Sequence, residues 1–261
     1  MIDESQETQT SLSLGLRFKD RKDIKSTQII RFMKAFIDKE EEISLDYKEA
    51  FNEDPVKKLE KLGRFIITID FEITEEDITR VETNKKNINL KLESLRQNNI
   101  LKRVTFEQQI EKEYQWLLNE GLSAYRKYVL KINLGIIPTP KKYNQAMVFG
   151  NLIDIWDKYN GQTKDLKGFT EFINSDYYKS VPAVDISARL LACKMTSRNP
   201  IESGDYMDID QISAILSYCN FVFTDRKMKN LILNFGVNDK YKTKVYCMQD
   251  FDEIVNNLSK L

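Results

Sequence analysis

The chain reads as an α/β protein, a parallel sheet flanked by helices with a long helical insertion. Three observations predict this. Residues 206–259 alternate as helix 206–217, strand 220–224, helix 226–234, strand 243–247 and helix 249–259. Two strands joined by a helix form a βαβ unit, which demands parallel pairing. Residues 65–69, Phe-Ile-Ile-Thr-Ile, form a β-rich apolar run that reads as a buried strand. Finally, only 9 Gly and 5 Pro occur in 261 residues, so most of the chain is regular structure, chiefly helix. This length, with 41% apolar residues, suits one domain over 1–261.

The elements follow in order. Residues 1–24 are a polar lead-in, with a short strand expected near 11–18. Ile29, Ile30, Met33, Phe36 and Ile37 recur at helical spacing and predict a helix over 25–42. A short helix is expected near 46–51, and Pro55 opens another that Gly63 ends. Thr74-Glu75-Glu76-Asp77 resembles a capping box. From there, residues 74–135 read as two long charged helices in an antiparallel hairpin, projecting from the domain or lidding it, with breaks in the apolar seam near 87–89. The turn Ile137-Pro138-Thr139-Pro140 leads to helices at 143–158, about 166–174 and 183–196. Met147, Leu152, Ile153 and Trp156 are expected to face inward in the first of these.

Composition excludes several function classes. Lys plus Arg equals Asp plus Glu, at 40 each, so net charge points to no particular partner. The chain has no histidine, which removes Ser-His, Cys-His and His-metal chemistry. A carboxylate site would favour hard cations such as Mg²⁺ or Mn²⁺ over zinc. Cys193, Cys219 and Cys247 are widely spaced in apolar contexts and read as reduced core thiols. With no apolar leader and no membrane span visible, the expected location is cytoplasmic, without membrane contact.

Residues 204–227 concentrate the candidate chemistry. Asp205, Asp208 and Asp210 lie before or at the start of a helix, and Asp225 directly follows the strand Phe221-Val222-Phe223-Thr224. Ligands bind beyond the carboxyl ends of parallel strands, and an i,i+3 spacing puts Asp205 and Asp208 on one helix face. Asp208, Asp225 and one or two further carboxylates could hold Mg²⁺, which lowers the pKa of a water and stabilises charge on a scissile phosphate. The bland alternative is ordinary capping: Asp205 and Asp208 at one helix start, Asp225 at the next. Asp210 reads as an exposed first-turn residue.

Gly204-Asp205-Tyr206-Met207-Asp208-Ile209, then Ser217-Tyr218-Cys219-Asn220, then Thr224-Asp225-Arg226-Lys227 resemble the motifs of PIN-like nuclease domains. The resemblance covers about 165–260, including residues 169–182 and the helix after them. It is similar to the larger, helix-rich bacterial members. It implies a parallel sheet flanked by helices and Mg²⁺- or Mn²⁺-dependent phosphodiester cleavage, usually of RNA and sometimes of DNA. On this reading Asp208 and Asp225 are catalytic metal-site carboxylates, with Asp205 an additional metal ligand. Glu53 is the candidate for the family's helical acid. The family's first strand, ending in Asp, is either missing or diverged here, and Asn220 stands where an acid is frequent. The implied function is a metal-dependent endoribonuclease, toxin-like or acting in defence, with a neutralising protein partner. The alternative is an interaction protein of the same family that has lost catalysis.

Overall fold

The computed structural model describes residues 19–57, 75–136, 144–162 and 165–258. The strands expected near 11–18 and at 65–69, the Thr74 cap and the turn at 137–140 lie outside these residues.

The α/β expectation is overturned. Among the described residues the protein is essentially all-helical, and the sheet consists of two three-residue strands. β1 (Phe221–Phe223) and β2 (Lys244–Tyr246) pair in parallel, with Val222 opposite Val245. The βαβ pattern therefore predicts the local pairing correctly. It does not extend to a sheet with helices on its faces, because helical segments supply most of the core.

Helix α1 (Arg21–Asp38) starts at the N-cap Asp20, whose side chain accepts from the Lys22 N–H. It ends where Lys39 turns left-handed at φ 55°. Its buried face carries Ile24, Gln28, Phe32, Met33 and Ala35. A 3₁₀ turn at Tyr47–Ala50 follows, capped by Asp46. Helix α2 (Glu75–Leu101) runs unbroken, and α3 (Phe106–Tyr114) begins with a capping box between Thr105 and Gln108. A π-helical segment, Leu117–Leu122, leads into α4 (Ser123–Asn133), and α5 (Asn144–Asn160) packs against both. Then come α6 (Leu166–Asn174), the single turn α7 (Asp176–Lys179) and α8 (Pro182–Thr196), with proline in its first turn. Helix α9 (Asp205–Ile215) leads through a 3₁₀ turn to β1. Helices α10 (Arg226–Asn234) and α11 (Val237–Lys240) connect β1 to β2, and α12 (Phe251–Leu258) follows β2.

Two apolar clusters carry the packing. The first joins α1, the π segment and α5–α7 around Phe149, Trp156, Phe169 and Phe172. Phe149 meets Phe169 edge-on, and Trp156 stacks on Phe172, the offset and T-shaped geometries that aromatic quadrupoles favour. Gly121 makes the close approach possible. A Cβ there would sit 2.8 Å from the Phe149 ring. Met147, expected to face inward, is instead exposed, whereas Leu152, Ile153 and Trp156 are buried. The second cluster joins α8, α9, both strands and α10 through Ile186, Leu190, Ile209, Leu216, Val222, Ile232 and Val245. Burying each such side chain contributes about 1.5–3 kcal/mol.

Helices α2 and α3 lie directly on α8. The buried Asn99 amide donates to Gln109 Oε1 (2.9 Å) and to the Met195 carbonyl (3.3 Å). No described helix is long and apolar enough to cross a membrane.

Candidate functional site

The acidic corner is built where α8 ends, α9 begins and β1 ends. Gly204 sets it. Its φ of +109° is a conformation L side chains avoid, and it turns the chain into the first turn of α9. The Asp208 N–H donates to the Gly204 carbonyl at 3.0 Å. Asp205 and Asp208 then follow at i,i+3 on one face.

The three aspartates have different partners. Asp205 Oδ2 accepts from the Glu202 N–H at 2.8 Å and from Lys194 Nζ at 2.9 Å. Lys194 reaches it from the last turn of α8. Asp225 is exposed and caps α10, its Oδ1 accepting from the Lys227 and Met228 N–H groups at 2.7 and 3.0 Å. Capping of this kind satisfies donors that a helix start leaves orphaned. Asp208 has no hydrogen bond or ion pair among the described residues. Burial pushes its carboxyl above the ordinary value, and the neighbouring charges of Asp225 and Asp205 push it further, against partial relief from Lys85 and Lys194. The three carboxylates thus share one electrostatic field.

Two residues outside the motif complete the corner. Glu202 pairs with Lys227 at 2.5 Å. That hydrogen bond lowers the Glu202 carboxyl and raises the Lys227 ammonium, which Asp205 and Asp225 also stabilise. Helix α2 clamps the loop entering α9. Glu93 accepts from the Ile201 N–H at 3.0 Å, and Arg96 donates to the carbonyls of Ser197 (2.8 Å) and Arg198 (3.1 Å). Arg96 also pairs with Glu93 at 2.5 Å. The Arg96 hydrogen bond, helped by the Ile201 N–H, brings the Glu93 carboxyl down to about 2.

Two other acids lie elsewhere. Asp210 pairs with Arg21 (3.1 Å) and Lys25 (2.5 Å) on α1. Glu53 is exposed, in the segment after the 3₁₀ turn. That turn is tied to the far end of α9: Glu49 accepts from the Tyr218 hydroxyl at 3.4 Å, and Ala50 packs on Ala214.

The geometry brings Asp205, Asp208 and Asp225 together without assembling a complete cage. No group of three or more Asp, Glu, Cys or His is arranged to hold a metal among the described residues. The available donors are nevertheless hard oxygens: the unpaired Asp208 carboxylate and Oδ2 of Asp225. Mg²⁺ characteristically takes one or two carboxylates and completes its shell with water and substrate phosphate, and carboxylate oxygens are the donor type such an ion prefers.

A second polar cluster escaped sequence reasoning. Asp185, 1% exposed on α8, accepts from the Tyr114 hydroxyl (2.9 Å), Arg189 Nε (2.8 Å), Lys240 Nζ (2.8 Å) and the Tyr241 hydroxyl (3.0 Å). Burial pushes its carboxyl up, but Lys240 and Arg189 outweigh that and hold it below the ordinary value. The cluster braces α3, α8 and α11. A lone acid on an apolar helix face gives no sequence pattern that would reveal it.

No family model, curated protein or solved structure matches the chain.

Proposed function

We propose that the corner formed by Asp205, Asp208 and Asp225 binds one Mg²⁺ or Mn²⁺ and that the protein is a metal-dependent nuclease acting on RNA. The observation that carries this reading is Asp208. A half-buried carboxylate between two other carboxylates, with no counter-charge bound to it, is stabilised by a divalent cation. The resemblance of the 204–227 motifs to PIN-like nucleases supports the same chemistry.

Asp208 and Asp225 Oδ2 would hold the ion, and Asp205 would bear on it through its charge, since Lys194 already occupies Oδ2. A divalent ion in such a site supplies charge neutralisation at a phosphate and acidifies a water. Lys227, at the rim, can shift from Glu202 to an entering phosphate oxygen. Incubating a labelled single-stranded RNA with Mg²⁺ or Mn²⁺ tests the proposal. Cleavage by wild type that is lost in Asp208→Asn and Asp225→Asn and stopped by chelation is the expected result. No cleavage by wild type, or cleavage unchanged in both variants, contradicts it.

A specific observation favours a second reading. Asp205 and Asp225 both make scaffold contacts, to Lys194 and to the start of α10. An interaction protein that keeps the scaffold without catalysis accounts for those contacts, and it predicts no divalent-ion binding by wild type.

A further inference from the structure

The charge balance of the whole chain conceals a local asymmetry. From Gly121 to Ile153 there are five basic residues, Arg126, Lys127, Lys131, Lys141 and Lys142, and no acidic one. Helix α4 displays part of this charge. Arg126 and Lys127 are exposed and have no ion pair among the described residues. They border a groove of about 440 Å³, lined also by Asn119, Leu122, Ser123 and Thr170. On the same helical face, one and two turns further on, stand Leu130 and Leu134, 59% and 66% exposed. Ile132 and Ile136 are exposed as well, and so are Met147 and Val148 at the start of α5. All five residues from 132 to 136 are exposed.

Exposed aliphatic side chains beside cations that have no ion pair among the described residues combine the two attractions of an anionic bilayer surface: apolar burial at the acyl boundary and charge attraction to headgroups. A nucleic acid would use the cations and leave the aliphatic side chains in water. A docked peptide would fill the groove beside Leu122 and Thr170 and leave Leu130 and Leu134, which do not line it, in water.

We infer that the α4 end of the protein docks on anionic phospholipid membranes. Arg126 and Lys127 would face headgroup phosphates at the groove, with Leu130 and Leu134 entering the boundary layer. This is surface docking, and it stands apart from the acidic corner and its proposed chemistry.

Co-sedimentation of the full chain with vesicles of phosphatidylcholine and phosphatidylserine (3:1), against pure phosphatidylcholine vesicles, tests it. Wild type is expected to pellet with the anionic vesicles alone and to be released by high salt. Arg126→Glu/Lys127→Glu and Leu130→Ser/Leu134→Ser should each weaken partitioning roughly tenfold or more. The equal-charge control Lys102→Glu/Lys112→Glu should not. Circular dichroism checks that each variant is folded, as expected for surface positions. Three results would overturn the inference: no partitioning by wild type, equal partitioning onto neutral vesicles, or loss with the charge control alone. Tight binding of single-stranded RNA that survives the leucine changes but not the Arg126/Lys127 change, with no vesicle binding, would assign the surface to nucleic acid instead.

Discussion

Lys194 Nζ lies 2.9 Å from Asp205 Oδ2, and this one contact divides the acidic corner into a neutralised half and an unneutralised half. Asp205 is held in place with its charge offset. Asp208, on the same helix face, is left with the repulsion of both neighbours and no bonded cation. Stability and ligand binding at this corner should therefore respond oppositely to substitution.

Asp208→Asn should stabilise the metal-free protein at pH 7. The Asp208 carboxyl is raised in the folded state above its unfolded value of about 3.9. Its ionisation therefore costs stability above the folded value, and that cost disappears once pH falls below the unfolded one. The gain in Tm should shrink toward zero as pH drops to about 4. Thermal melts of both proteins from pH 4 to 8 check the slope. A variant less stable than wild type at pH 7 would show that Asp208 has a favourable partner.

Lys194→Met should tighten divalent-ion binding, roughly threefold or more, because it removes a fixed positive charge beside the site. It should also push the Asp208 carboxyl further up, a change readable by NMR titration. If Lys194 serves only to pack the end of α8, affinity will not change.

Gly204→Ala should cost about 1–2 kcal/mol. The cause is the backbone at φ +109°, since a Cβ would meet Asp208 Oδ2 at an ordinary 3.8 Å. Denaturant unfolding measures the loss. The same variant should weaken metal binding, because the turn at Gly204 sets where α9 starts.

Much of this corner is legible in the sequence. The spacing of Asp205 and Asp208 and the position of Asp225 after a β-rich tetrad place all three near the ends of their elements. Capping, the bland alternative, is also realised at Asp225. The small size of the sheet is not legible, because Phe221–Phe223 and Lys244–Tyr246 pair in parallel over only three residues and local pattern does not report how many strands join. Lys194 and Glu202 were illegible because their roles arise from a turn and a helix end, not from periodicity. The same holds for α2: its charged surface reads as solvated, yet Glu93 and Arg96 reach across to hold the loop at 197–201.

Asp185→Asn should destabilise the fold by about 2–3 kcal/mol, since Arg189 and Lys240 would lose their buried counter-charge while staying partly solvated. Tyr114→Phe removes one hydrogen bond from the same carboxylate and should cost about 1–2 kcal/mol. Urea unfolding of both separates them. Equal small losses would mean that water replaces the cluster freely.

Calorimetric titration of Mn²⁺ into wild type, Asp208→Asn and Asp225→Asn bears most directly on the central claim. One bound ion in wild type, with binding abolished by either substitution, is the predicted result. Failure of wild type to bind Mn²⁺, or binding that neither substitution disturbs, contradicts it.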